Sequence, residues 1–211
     1  MIMILIQISL PIIFLGFLVA SADAHGYLKS PRSRNYYAHV EGSNSMNGPA
    51  GKPPAEYCPH CLNFKTDSEI CGTGQTQNYD VWNDVNGNPM PWISQGTFTE
   101  GGEIVIEVDL TTNHAGHIEV YACPDGSEST QACFLDHPLT FMEDLLYGGP
   151  VDDHYPVRAY VSPAAEFKFK YRLPVGVQGD RVMLQWRYIT ANSCFPPGYV
   201  STIDYVIHYY Y

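Results

Sequence analysis

Positive charge is scarce in this 211-residue chain: Lys and Arg together number 11 against 22 Asp and Glu, for a formal net charge of −11. A polyanion such as nucleic acid, or an anionic lipid surface, finds no electrostatic attraction on such a protein, and a neutral partner suits it better. Charge of either sign is thin, at 16 % of residues. No Asn-x-Ser/Thr sequence occurs, so no N-linked glycan is expected. Neither a Gly-x-x-x-x-Gly-Lys phosphate loop nor a Gly-x-Ser-x-Gly nucleophile elbow is present, which removes the two commonest nucleotide and acyl-transfer signatures. Internal repeats, low-complexity tracts and linkers are also missing. The chain stops within its last expected strand, so no appended binding module is expected.

Residues 1–20 lack any charged side chain, and Ile2 to Ala20 is an apolar run broken only by Gln7, Ser9, Pro11 and Gly16. The N-terminal position, Pro11 and the small residues Ala22 and Ala24 favour a secretory signal peptide cut after Ala24 over a retained membrane anchor. The expectation is a secreted, extracellular protein with a signal peptide over 1–24 and one domain over 25–211. All six cysteines follow the cut, and an even number in a secreted chain implies disulfides. Cys123 with Cys133 is the favoured local pair. The other four, Cys58, Cys61, Cys71 and Cys194, allow three connectivities, and these stay open. A zinc site or thioredoxin-type pair at Cys58-Pro-His-Cys61 fits less well, because secreted thiols are oxidised and no βαβ pattern flanks the motif.

What is abundant is tyrosine, 16 residues in all. From Lys29 to about Gln95 the chain is rich in Gly, Pro, Asn and Ser with little periodicity, and reads as a long irregular region with one or two helical turns near Gln77 to Asn83. Beyond it, strand patterns dominate. Ile104, Ile106, Val108 and Leu110 alternate, as do Ile118, Val120 and Ala122, with Thr111 to Gly116 as the loop between them. Further strands are expected over 155–161, 166–173, 181–188 and 201–211, with Phe141 to Leu146 helical or irregular. Short strands joined by Gly/Pro-rich connections imply an all-β protein, an antiparallel β-sandwich of the immunoglobulin/fibronectin III kind with a loop-rich N-terminal region and short helices.

Cleavage after Ala24 would leave His25 as the terminal residue, whose α-amine and imidazole can chelate one metal ion. Nitrogen-only donors in a tetragonal arrangement favour copper over zinc or calcium. Seven other histidines compete to supply a third nitrogen. His114, in the loop between two strands, stands out, with His117 the near alternative. Positions three apart in a strand face opposite ways, so one ion does not take both. Paired acids such as Glu143-Asp144 or Asp152-Asp153 suggest hydrolysis of glycosides, but that leaves the terminal histidine without a role.

His25-Gly-Tyr-Leu-x-x-Pro-x-Ser-Arg34 resembles the mature start of lytic polysaccharide monooxygenases, especially the chitin-binding type-4 group that includes auxiliary activity families 10 and 15. Thr112-Asn-His-x-Gly116, leading to Cys123-Pro124, resembles that family's second copper-histidine segment and selects His114. Leu184-Gln-Trp-Arg-Tyr188, Cys194 and Tyr199-Val-Ser-Thr-Ile-Asp204 resemble its C-terminal block, where an aromatic residue five positions before an Asp faces the copper axially; that residue is Tyr199. The resemblance implies a copper-dependent oxidoreductase with a histidine brace of His25 and His114. It would use an external reductant with O2 or H2O2 as co-substrate, and cleave chitin, or alternatively cellulose, by oxidation at C1 or C4. Gln185 is a candidate for the polar side chain beside the copper, and Tyr27, Tyr36 and Tyr37 are candidates for contact with the insoluble polysaccharide. A monomer is expected. The rival expectation is a non-catalytic polysaccharide- or copper-binding protein on the same scaffold.

Overall fold

The computed structural model describes residues 26–45, 82–126, 129–191 and 198–199. His25, the signal segment, the expected strand over 201–211 and the cysteines Cys58, Cys61, Cys71 and Cys194 lie outside these residues.

Alternation builds the first sheet. Strand β4 (Glu103–Asp109) turns Ile104, Ile106 and Val108 to one side, and β8 (Glu166–Arg172) answers with Phe167, Phe169 and Tyr171. The two pair antiparallel with Ile104 opposite Tyr171, Ile106 opposite Phe169 and Val108 opposite Phe167, so large side chains meet in matched layers. β1 (Tyr27–Ser30) adds to the β4 edge and β6 (Thr140–Asp144) to the β8 edge, giving the order β1-β4-β8-β6. The second sheet has β5 (His117–Cys123) at its centre, between β7 (Ala159–Tyr160) and β9 (Met183–Ile189). Ile118, Val120 and Ala122 of β5 join Tyr188 of β9 and Ala159 of β7 in one buried cluster with the first sheet's Ile106, Phe169 and Tyr171. The architecture is the expected antiparallel β-sandwich. Each fully buried aliphatic or aromatic side chain in it stabilises the fold by about 1.5–3 kcal/mol.

Several local expectations are corrected. The described part of the region after Lys29 holds regular elements that its composition does not imply: helix α1 (Arg34–Glu41) starts at Ser33, whose hydroxyl accepts from the Tyr36 N–H, and ends where the Gly42 N–H bonds the Ala38 carbonyl. Only Ala38 of this helix is buried, which is why no apolar period announced it. β2 (Gly42–Ser45) then pairs with β3 (Trp82–Asp84). Trp82 and Asn83 therefore lie in a strand rather than a helical turn, with Trp82 buried against Ala38 and Met90. Residues 141–144 are neither helical nor irregular but extended in β6, because Phe141 packs edge-on against Phe169 and Tyr171 of the neighbouring strand. The strand expected over 155–161 shrinks to Ala159–Tyr160. Asp152 is the reason: its carboxylate accepts from the backbone of His154 and Tyr155 and folds the preceding segment into turns. Helix α2 (Gln131–Leu135) is capped by Thr130 and tied to the end of β5 by the disulfide Cys123–Cys133, whose Cα atoms are 5.5 Å apart.

Candidate functional site

Asn113 shapes the loop between β4 and β5. Its amide nitrogen donates to the carbonyls of Ser162 and Ala164, at 2.7 and 2.6 Å, while its amide oxygen accepts from the Ala115 N–H at 2.8 Å. Ala115 and Gly116 follow with positive φ, 55° and 97°. Gly116 is required by more than its φ, since a Cβ there would stand 1.9 Å from the Ile189 carbonyl oxygen. The backbone of His114 is fixed at both ends: its N–H donates to the Tyr188 hydroxyl at 2.7 Å, and its carbonyl accepts from the Ala191 N–H at 3.2 Å. The side chain thus projects from a rigid loop, and its Nε2 is buried with no hydrogen-bond partner among the described residues. An orphaned imidazole nitrogen in that setting is a lone pair or N–H whose desolvation is uncompensated, at a cost of about 1–3 kcal/mol.

His117 is differently employed. It is 1 % exposed, its Nδ1 lies 2.7 Å from the Tyr199 hydroxyl, and its Nε2 lies 3.1 Å from Glu119 Oε1. The other oxygen of Glu119 accepts from the Tyr121 hydroxyl at 2.7 Å. The nearly buried Arg158 guanidinium approaches Glu119 Oε1 to 3.8 Å and lies 3.7 Å from the centre of the Tyr155 ring and 5.9 Å from that of Tyr199. His117, Glu119 and Tyr121 stand at alternate positions of β5, so the strand carries apolar core contacts on one face and this polar network on the other.

Burial works to raise the Glu119 pKa, but the hydrogen bonds from His117 and Tyr121 outweigh it and hold the carboxyl below its usual value. Burial likewise pushes His117 below the ordinary imidazole value, against the pull of Glu119. Tyr121 is raised by burial and by the Glu119 charge, and Tyr160, hydrogen-bonded to Asp152 at 2.7 Å, is pushed up to about 12 by burial and that bond.

Tyr199 reaches this network because Gly198 has φ 88° and lies flat on Tyr155, where a Cβ would meet the ring at 2.4 Å. Its ring centre is 5.6 Å from that of His117 and 5.8 Å from that of Tyr160. Gln185, the candidate polar neighbour of the copper, pairs across the sheet with Tyr121 and closes an amide pair with Gln131 at 3.0 and 3.2 Å. Tyr121 stands four residues along β5 from His117, a separation of about 13 Å. The polar group beside Tyr199 and His117 is instead Glu119, with Arg158. Neither had a signal in the sequence beyond being a charge near a strand.

The three tyrosine candidates cluster around β1 and α1. Tyr27 and Tyr36 stack on each other with ring centres 4.5 Å apart, and the Tyr27 hydroxyl bonds Asp109 at 3.0 Å. Arg32 covers one face of Tyr37 at 4.7 Å. All three are half-buried, with part of their ring surface already used. Trp92, absent from the sequence-based candidates, is 53 % exposed and sits under Arg34 of α1 at 4.7 Å.

The family described as "Lytic polysaccharide mono-oxygenase, cellulose-degrading" matches residues 25–204, most of the chain. The chain belongs to that family. Among solved structures, "Lytic Polysaccharide Monooxygenase AA15 from Thermobia domestica in the Cu(I) State" is 18 % identical, with 81 % of this chain and 92 % of that chain covered and a TM-score of 0.45. No curated protein is a significant match. This mono-oxygenase is accordingly a copper-dependent oxidoreductase of the polysaccharide-oxidising class, and membership implies one copper ion. Among the described residues no group of three His, Cys, Asp or Glu converges. The orphaned Nε2 of His114 nevertheless fits such an ion, being an imidazole nitrogen on a rigid loop, buried and otherwise unpaired. His117 does not fit, because both its nitrogens are taken.

Proposed function

We propose that the secreted, monomeric mature chain begins at His25 and that the His25 amine and imidazole, with the imidazole of His114, would hold one copper ion, with Tyr199 as the aromatic side chain beside it. The observation that carries this reading is the buried, unpartnered Nε2 of His114. The family match beginning on His25 and ending on Asp204 supports it. Copper held by these nitrogens would supply one-electron redox chemistry which, with an external reductant and O2 or H2O2, oxidises C1 or C4 beside a glycosidic bond.

The rest is done by this chain's own side chains. Asn113 holds the loop so that His114 need not reorganise on binding, which preserves the affinity a flexible ligand would lose. Arg158 lies between the Tyr155 and Tyr199 rings, 3.7 and 5.9 Å from their centres, and backs the Tyr199 ring with a nearly buried cation. Tyr27, Tyr36 and Tyr37, with the adjoining Trp92, meet an insoluble polysaccharide, chitin in preference to cellulose. Stacking on sugar rings suits neutral aromatic surface on a chain of this negative charge.

The test incubates the copper-loaded mature protein and ascorbate with β-chitin and, separately, with cellulose, followed by mass spectrometry of the soluble products. Oxidised chitin oligosaccharides are expected. Products from cellulose alone would transfer the substrate assignment, and tight copper binding with no oxidised product from either would overturn the reading. Copper affinity unchanged in His114→Ala would overturn the ligand assignment separately.

A further inference from the structure

We propose that His117 is a positioning residue for Tyr199: held by Glu119 as the Nε2–H tautomer, it accepts the Tyr199 hydroxyl at Nδ1 and fixes the direction in which that O–H points. The relevance to catalysis rests on the proposed copper site, but the hydrogen bond itself does not.

The assignment follows from valence. Glu119 accepts from the Tyr121 hydroxyl at 2.7 Å and faces Arg158 at 3.8 Å, an environment in which it stays a carboxylate and can only accept. The His117 Nε2, 3.1 Å from Glu119 Oε1, must then carry a hydrogen. The ring is neutral, because it is buried at 1 % exposure and flanked by Arg158 and Arg187 as well as by Glu119. A neutral imidazole has one N–H, so Nδ1 presents a lone pair, and the Tyr199 oxygen 2.7 Å away must be the donor.

The consequence concerns what Tyr199 can offer on its other side. With its proton committed to Nδ1, the phenol oxygen presents only acceptor lone pairs to whatever occupies the space beyond it. The direction is enforced by a chain of four groups, Tyr121, Glu119, His117 and Tyr199, in which each hydrogen bond sets the next. The ring contacts tighten it: Tyr160 meets His117 edge-on at 6.0 Å and Tyr199 at 5.8 Å, restricting tilt of both rings.

The experiment has one arm without copper and one with it. In the copper-free mature protein, imidazole 15N shifts read the tautomer directly. His117 is expected as Nε2–H, with Nδ1 moving downfield toward the value of a free lone pair in Tyr199→Phe. In the copper-loaded protein, Cu(II) EPR is compared among the parent, His117→Phe, which deletes the acceptor, and His117→Asn, whose Oδ1 stands near the position of Nδ1. All are expected to bind one copper. The EPR spectrum should change in His117→Phe and return toward the parent in His117→Asn, and oxidised product per copper should fall about 10–100-fold in the former. An Nδ1 shift insensitive to Tyr199→Phe, or a His117→Phe EPR spectrum identical to the parent, would overturn the proposal. Failure of the parent to bind copper would instead overturn the copper site while leaving the 15N result to decide the hydrogen bond. Should His117→Phe not fold, Tyr199→Phe keeps that decision open to measurement.

Discussion

The two faces of β5 are about equally removed from water and built on opposite principles. One carries Ile118, Val120 and Ala122, all with no exposed surface, against the first sheet. The other carries His117, Glu119 and Tyr121, covered by Tyr160, Arg158 and Tyr199. The apolar face needs only volume and shape, and its neighbours can shift to absorb a small change. The polar face is held by directional bonds whose loss strands a buried charge or lone pair, so it tolerates far less. A single strand thus serves as core on one side and as the rigid backing of the candidate site on the other.

The comparison is broken most severely at its charge. Glu119→Ala leaves His117 and Tyr121 without their shared acceptor and Arg158 without the carboxylate it faces at 3.8 Å, and is expected to cost about 3–5 kcal/mol in denaturant unfolding. Next comes Asn113→Ala, which removes the amide holding Ser162 and Ala164. A loss of about 1–3 kcal/mol is expected, with copper affinity measured by competition titration lower by about 10–100-fold. On the apolar face the analogous small excision, Ile118→Val, should cost only about 0.5–1.5 kcal/mol and leave copper affinity per folded molecule unchanged. A cost for Ile118→Val matching that of Glu119→Ala would erase the distinction between the faces.

The smallest effect is the dependence on pH. The folded pKa of His117 is lowered, so as pH falls below the usual imidazole value near 6.5 the unfolded chain takes up a proton first and stability drops. Glu119, also lowered, adds a second loss in the same direction at lower pH, once the unfolded carboxyl begins to protonate. The slope from His117 cannot exceed about 1.4 kcal/mol per pH unit. It should flatten in His117→Asn between pH 6.5 and the carboxylate range, and an unchanged slope would contradict the buried neutral ring.

The apolar face of β5 is legible in the sequence, because alternation at Ile118, Val120 and Ala122 is a period-two signal. β4 and β8 were legible for the same reason, and Cys123 and Cys133 bond as the favoured local pair. The polar face was not. A glutamate at an outward strand position looks solvated, and nothing local to His117-Ile-Glu indicates that Tyr199, some eighty residues on, closes over it. His114 stands out in the sequence by its loop position and is chosen over His117 by motif. The physical reason for it, a loop pinned by Asn113 and an unpaired Nε2, depends on carbonyls from Ser162 and Ala164 that only tertiary structure brings near. Helix α1 and strand β6 escaped because each shows too few buried residues to mark a period.

The clamp on the His114 backbone also carries an implication for timing. Its N–H is held by the hydroxyl of Tyr188, 74 residues later in the chain, and its carbonyl by the N–H of Ala191. During synthesis the loop therefore has its sequence long before it has its shape, and closing so long a loop is entropically slow compared with local structure. A chain ended before Tyr188 would retain Asn113 and His114 but not the conformation that presents them, so a competent site is among the last features this protein acquires.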